Sequence, residues 1–439
     1  MSLLAGAAVR DITPQEPQFL VGYPHVPRIS EGIHDPLLAS SLYLFDDPTA
    51  LLFIAVDILF ISPETVSACR VALSQATGVP EQNILISATH THSGPVTNTV
   101  LAWRNDPVVP PADLSYMEQF RDTIIESGLA AYRTAQPARL AVTTAQASGV
   151  GGNRLDPMGP FDPEIGLLSV QSQRDARFIA QVVIYGMHPT VLHEDSRLVS
   201  SDFPFFTRRH LTKAYPELVT LFHLGPCGNL SPRYHVKAQT FGEAQILGER
   251  LGGSVLNALR MLRDADFSAD QHLAAGRAYT ELPTNTFESI STAQQKLQQA
   301  TENYQRLKRE GSPHGPLRTA ECEVFGREEA LTLATAQADG ELAKWQDRYR
   351  SAEVQVLRLG KVFIVAWPGE QFVEYALELK RRAGHRVFII SLANGELQGY
   401  IATPQAEAAG SYEAAFAMFK PQAGDCLIEA ALHLIKQLA

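Results

Sequence analysis

The run ALLFIAVDIL, residues 50–59, is apolar at every position except Asp57 and reads as a strand. It leads into SPETVSACRVALSQATG, where Ser62 and Gly78 frame an amphipathic helix, and then into a second apolar strand, NILISATH. The same alternation runs along most of the chain. AGAAVRD, SSLYLFD, ARLAVTTAQ, GLLSVQS and FIAQVVIYGMH read as strands, and SYMEQFRDTIIESGLAAYRTA as a helix. This rhythm predicts an α/β fold of mixed β-sheets flanked by helices.

From about residue 284 to residue 350 the texture becomes rich in Gln, Glu, Lys and Ala, broken only at SPHGP, which predicts a helical-hairpin insertion. Its solvated charge pattern reads as a packed, functionally silent element. Sheet-like sequence then returns in VQVLRLGKVFIVAWPGE and HRVFIISLAN, and CLIEAALHLIKQLA reads as a final helix. No repeat, low-complexity tract or Pro/Ser linker interrupts the chain, so residues 1–439 read as one domain carrying the 284–350 insertion.

A net charge of −10 argues against sequence-independent nucleic-acid binding and against an anionic-membrane anchor, both of which need a basic footprint. TALLFIAVDILFIS, the longest apolar run, is short for a bilayer and is interrupted by Asp57. MSLLAGAAVRDITP has neither the basic start nor the apolar stretch of a secretory signal. The four cysteines, Cys69, Cys227, Cys322 and Cys426, form no CxxC pair. A soluble, cytoplasmic protein with reduced thiols is expected, its oligomeric state open. Cys227 has no neighbour that would mark a low-pKa nucleophile.

NILISATHTHSGP places His90 and His92 two apart at the end of a strand, so both side chains face one way where open α/β sheets put their ligands. Metal binding, proton transfer and simple hydrogen bonding all fit that pair. QVVIYGMHPT ends another strand with His188, and His193 in the following polar loop is an alternative. Glu370 follows the strand and turn of FIVAWPGEQF, where an acid can also serve a helix N-terminus. Taken jointly, two imidazoles and a carboxylate at three strand ends make an open zinc site with a position left for water. Ser231 stands in the GNLSPR turn, a place where a hydroxyl is displayed, and no GxSxG motif surrounds it.

These motifs, in this order, resemble the neutral (non-lysosomal) ceramidase family in its N-terminal catalytic region. The resemblance runs from AGAAVRDITP and Gly22-Tyr23 through GIHDPLLASSLYL, LLFIAVDIL and NILISATHTHSGP to GGNR, MHPTVL, SSDF, GNLSP, WPGE and GYIATPQAE followed by YEA. It implies one zinc ion per chain, held by His90, His188, Glu370 and Tyr400. It also implies active-site roles for His92, Arg154, Ser231 and Tyr412. The sequence departs from the family in reading Asn229 where ceramidases have Asp, Phe205 in SSDFPFF, and NGELQGY before the zinc tyrosine. The C-terminal immunoglobulin-like domain of typical members is expected to be absent.

The resulting expectation is a zinc-dependent amidohydrolase that cleaves a small-molecule or lipid-like N-acyl bond through a metal-activated water. Ser231 serves either as a nucleophile or as an orienting group. PVVPPADLSYM, residues 107–117, reads as a Pro-rich surface loop and is the nearest local candidate for an apolar lid. Rival readings are a zinc hydrolase of another small amide, ester or lactone, and a non-catalytic metal-binding scaffold.

Overall fold

The computed structural model describes residues 3–439. Eight strands form a large mixed sheet in the order Val219–Leu224, Phe178–Tyr185, Glu164–Ser172, Gln136–Gln146, Leu4–Asp11, Leu38–Asp46, Thr49–Val56 and Ile84–Ala88. A second sheet takes the order Ala274–Glu281, Ser351–Leu359, Val362–Ala366 and Arg386–Ile390. Leu51, Phe53 and Ala55 of the large sheet share one core with Leu357, Ile364 and Phe388 of the small one, so the two sheets lie face to face. Leu52, Ile54 and Val56, the alternate residues of the same strand, join a second core with the helices. That is why residues 50–56 carry no polar alternation: one face meets a sheet and the other meets helices.

Helices Pro63–Thr77 and Leu114–Arg133 lie over the large sheet, and Val373–Arg382 and Gln422–Leu438 over the small one. The first of these is framed as the sequence requires. Ser62 accepts a hydrogen bond from Thr65 N at 3.1 Å, and Gly78 closes the helix at φ 75°. Residues 284–350 hold the helices Ile290–Arg309 and His314–Ala338 packed as a hairpin, followed by a separate short helix, Glu341–Tyr349.

Within the two sheets, three strand pairs run parallel: Thr49–Val56 with Ile84–Ala88, Phe178–Tyr185 with Val219–Leu224, and Val362–Ala366 with Arg386–Ile390. The carboxyl ends of parallel strands are where α/β folds gather their ligand loops. Here those ends lead to Thr89-His90, to His188 and the 225–231 turn, and to Glu370 and Tyr400. Among the described residues, no helix is long and apolar enough to cross a membrane.

Candidate active site

Each site residue is delivered by a short, constrained connection. Thr89 N donates to Val56 O and His90 N to Ile58 O, which extends the parallel pairing past the strand end. His90 itself turns off at φ 70°, a left-handed conformation that costs a non-glycine residue free energy. Its Nδ1–H donates to Leu59 O at 3.0 Å. His188 makes the equivalent bonds to Cys227 O at 2.7 Å and Leu230 O at 3.0 Å, and His92 to Gly22 O at 2.9 Å. Gly22 is required there: at φ 121° a Cβ on it would stand 2.6 Å from the His92 ring.

With all three Nδ1 atoms tied to carbonyls, all three Nε2 lone pairs point into one space. The imidazoles offer ligand atoms within 4.8 Å of one another. Glu370 Oε2 lies 3.0 Å from His188 Nε2 and 3.2 Å from His90 Nε2. Two lone pairs facing one carboxylate repel it unless a cation stands among them. Burial, reinforced by the Arg154 charge, holds His188 down at about 4, and burial with the neighbouring imidazoles holds His92 well below its usual value. Burial alone would raise Glu370, but positive charge on His90 and His188, of the kind that a bound cation would supply, holds it well below the usual carboxylate range. Neutral imidazoles around a carboxylate are the donor set of a metal such as zinc, and the orphaned Nε2 atoms of His90 and His92 fit such an ion. Glu370 sits on the two-residue strand Glu370–Gln371, while Glu374 supplies the first-turn acid of the next helix.

Two short strand pairings bring in the remaining residues. Glu370 pairs with Tyr400 in parallel, and Ser231 pairs with Gly152, two residues before Arg154. Tyr400 and Tyr412 approach with hydroxyls 3.4 Å apart, and the Arg154 guanidinium lies over both rings at 5.4 and 5.2 Å. Arg154 also donates to Glu413 Oε1 at 2.9 Å and Gly228 O at 2.7 Å. Burial keeps both phenols protonated by pushing them well above their usual value. Ser231 Oγ accepts from Arg233 N at 3.3 Å. His90, His92, Arg154, Ser231, Glu370, Tyr400 and Tyr412 all line one cleft, with His188 buried beneath it.

Other sequence candidates fall outside this cluster. His193 lines the outer cleft, bonded through Nε2 to Thr190 O at 3.2 Å, and is not among the three converging imidazoles. Burial pushes the Cys227 thiol well above its usual range, which leaves it inert as a nucleophile. The four cysteines are free. Residues 107–117 do not line the cleft, although Trp103 just before them does.

The helix His314–Ala338 corrects the reading of the hairpin as silent. Arg318, Cys322, Phe325 and Glu329, spaced 4, 3 and 4 apart on one helical face, all line the cleft. That spacing was present in the sequence, but its mixture of charge and apolar character gave no ordinary amphipathic signal. Glu413 and Arg233 were missed for a different reason, because their partners are more than 80 residues distant.

Glu329 is buried, bonded to Trp103 Nε1 at 2.5 Å, and raised to about 8 mainly by burial. Its carboxyl stays protonated in the folded chain up to that pH, but in the unfolded chain it ionises near 4.5. The folded state therefore holds the extra proton, and stability falls as pH rises from 4.5 to about 8, then levels off. Glu329→Gln is expected to flatten that part of the curve of melting temperature against pH. Identical curves for the two proteins would overturn the assignment.

A family profile described as "Neutral/alkaline non-lysosomal ceramidase, N-terminal" matches residues 3–232. The fold is similar to that of the neutral ceramidase from Pseudomonas aeruginosa, with TM-score 0.77 and 16% identity, covering 100% of this chain and 74% of that one. It is also similar to a structure titled as a ceramidase complexed with C2, with TM-score 0.77 and 17% identity, covering 100% of this chain and 75% of that one. Comparison with curated proteins gives no match.

Proposed function

The chain belongs to the neutral/alkaline non-lysosomal ceramidase family, and from that premise we propose that it is a zinc-dependent amidohydrolase cleaving an N-acyl, ceramide-like amide. The observation that carries this reading is the convergence of three Nδ1-anchored imidazoles into one space lining a cleft, with the Glu370 carboxylate against two of them. His90, His188, Glu370 and Tyr400 would hold the metal. When bound, zinc supplies a water whose pKa falls from 15.7 toward about 7 and a Lewis acid for a carbonyl oxygen.

The chain's own groups do the rest. His92 keeps an unpartnered Nε2 beside the metal residues, on the wall of the cleft, where it faces substrate. Tyr412, protonated by burial, is a donor for an oxyanion, a contribution worth about 3 to 4 kcal/mol where geometry is good. Arg154 holds both phenols in place by lying across their rings and is itself fixed by Glu413. Ser231 orients substrate: its Oγ accepts from Arg233 N, and among the described residues it is bonded to no base that would activate it as a nucleophile.

The test is a metal analysis of the purified protein together with hydrolysis of N-acyl amides of increasing chain length, long-chain ceramide included. About one zinc per chain with turnover rising steeply with acyl length is the expected result. Zinc with turnover confined to short amides or esters would discard the lipid, and absence of bound metal would overturn the whole reading.

A further inference from the structure

The cleft is polarised along the roofing helix. At the Glu329 end, where that carboxyl is tied to the Trp103 indole, the rest of the wall is largely apolar: Phe60 lies 5.3 Å from His90 and 6.4 Å from Trp103, with Leu59 and Val100 beside them. At the Arg318–Cys322 end the wall is polar, built from Tyr23, Thr190, His193 and two arginines. Tyr23 lies 5.1 Å from His92, so the reacting centre stands between the two ends.

The two arginines differ in one respect. Arg318 is neutralised by Glu194 at 2.8 Å and Glu321 at 2.6 Å. Arg233 has no carboxylate partner among the described residues. Its guanidinium donates only to Thr319 Oγ1 at 3.1 Å and Cys322 Sγ at 3.3 Å, both on the roofing helix. It stands two residues from Ser231, and its charge acts on Tyr412 and His193 across the cleft. A half-buried guanidinium with two weak acceptors has donors to spare, and its planar fork suits a carboxylate.

We propose that Arg233 binds an anionic group on the amine side of the substrate, so that the preferred substrate is an N-acyl amino acid, with its acyl chain along the Phe60–Trp103 wall. This rests on the amidohydrolase reading for the bond cleaved, but not for the binding of the anion.

N-dodecanoylglycine and N-dodecanoylethanolamine share an acyl chain and differ in a carboxylate against a hydroxymethyl group. The zinc-loaded wild type is expected to favour the acid by about tenfold or more in kcat/KM, in keeping with a charged hydrogen bond. Arg233→Ala is expected to abolish that preference through KM, and Arg233→Lys to restore part of it. Equal use of the two amides by wild type, or an equal fall in kcat for both in Arg233→Ala, would overturn the proposal. Dissociation constants for both amides, measured on wild type and Arg233→Ala, separate the two layers. Tighter binding of the acid that vanishes in the variant, without hydrolysis of either amide, sinks the amidohydrolase reading and keeps the anion site. Equal dissociation constants in wild type sink the anion site whatever the turnover.

Discussion

Replacing His188 by alanine is expected to strip the bound metal and lower kcat/KM at least about 10³-fold, roughly 4 kcal/mol of transition-state stabilisation. The estimate exceeds the 10–100-fold typical of losing an outer-shell partner, because His188 is proposed to hold the ion directly. Its Nε2 faces Glu370 at 3.0 Å, and its Nδ1 is fixed by two carbonyls, so the ring is held in place to offer that nitrogen to the ion. His90→Ala should behave alike. His92→Ala should not: its ring is anchored to Gly22 on the wall of the cleft, and Glu370 makes its close contacts with His90 and His188. That variant is expected to retain the metal and lose turnover. Metal content by mass spectrometry, read beside activity and a melting curve, separates the two roles. Full activity in a metal-free His188→Ala protein would end the metal reading, and loss of the ion in His92→Ala would move His92 into the ligand set.

The alternation of apolar strands and capped helices was legible because it is local. Ser62, Gly78 and the unbroken run 50–56 each carry their reason within a few residues of themselves. The strand ends bearing His90, His188 and Glu370 were legible for the same cause, since a histidine or carboxylate directly after an apolar strand is a pattern of one segment. What brings them together is not local. The parallel pairing of Glu370 with Tyr400, and the bonds from His188 to the 227–230 turn, depend on sheet order, which no single segment encodes. The roof of the cleft escaped notice for a related reason. Arg318, Cys322, Phe325 and Glu329 share a helical face, but only the packing of the hairpin over the strand ends turns that face into a wall.

Asp57 gives the second large effect, and it explains why an acid interrupts the most apolar stretch of the chain. It is 0% exposed. Its carboxylate receives Arg208 at 3.0 and 2.5 Å, Thr89 Oγ1 at 3.0 Å and Leu38 N at 3.0 Å. The acid thus ties the helix Phe203–Ala214 to the start of the strand Leu38–Asp46 and to Thr89, one residue before His90. Asp57→Ala leaves the Arg208 guanidinium buried with only Ser201 Oγ at 2.7 Å for company, and should cost about 3–5 kcal/mol of folding free energy. Arg208→Ala leaves a buried carboxylate whose remaining partners are neutral donors, and should cost nearly as much. The double variant Asp57→Leu/Arg208→Leu is the informative protein, because it removes both charges and refills the space with apolar atoms. Its stability in urea is expected to lie well above that of either single variant, since most of each single loss is the penalty of stranding the partner and not the worth of the pair. A double variant less stable than either single variant would mean that the two residues act independently, and the strand ends beneath the metal site would need another anchor.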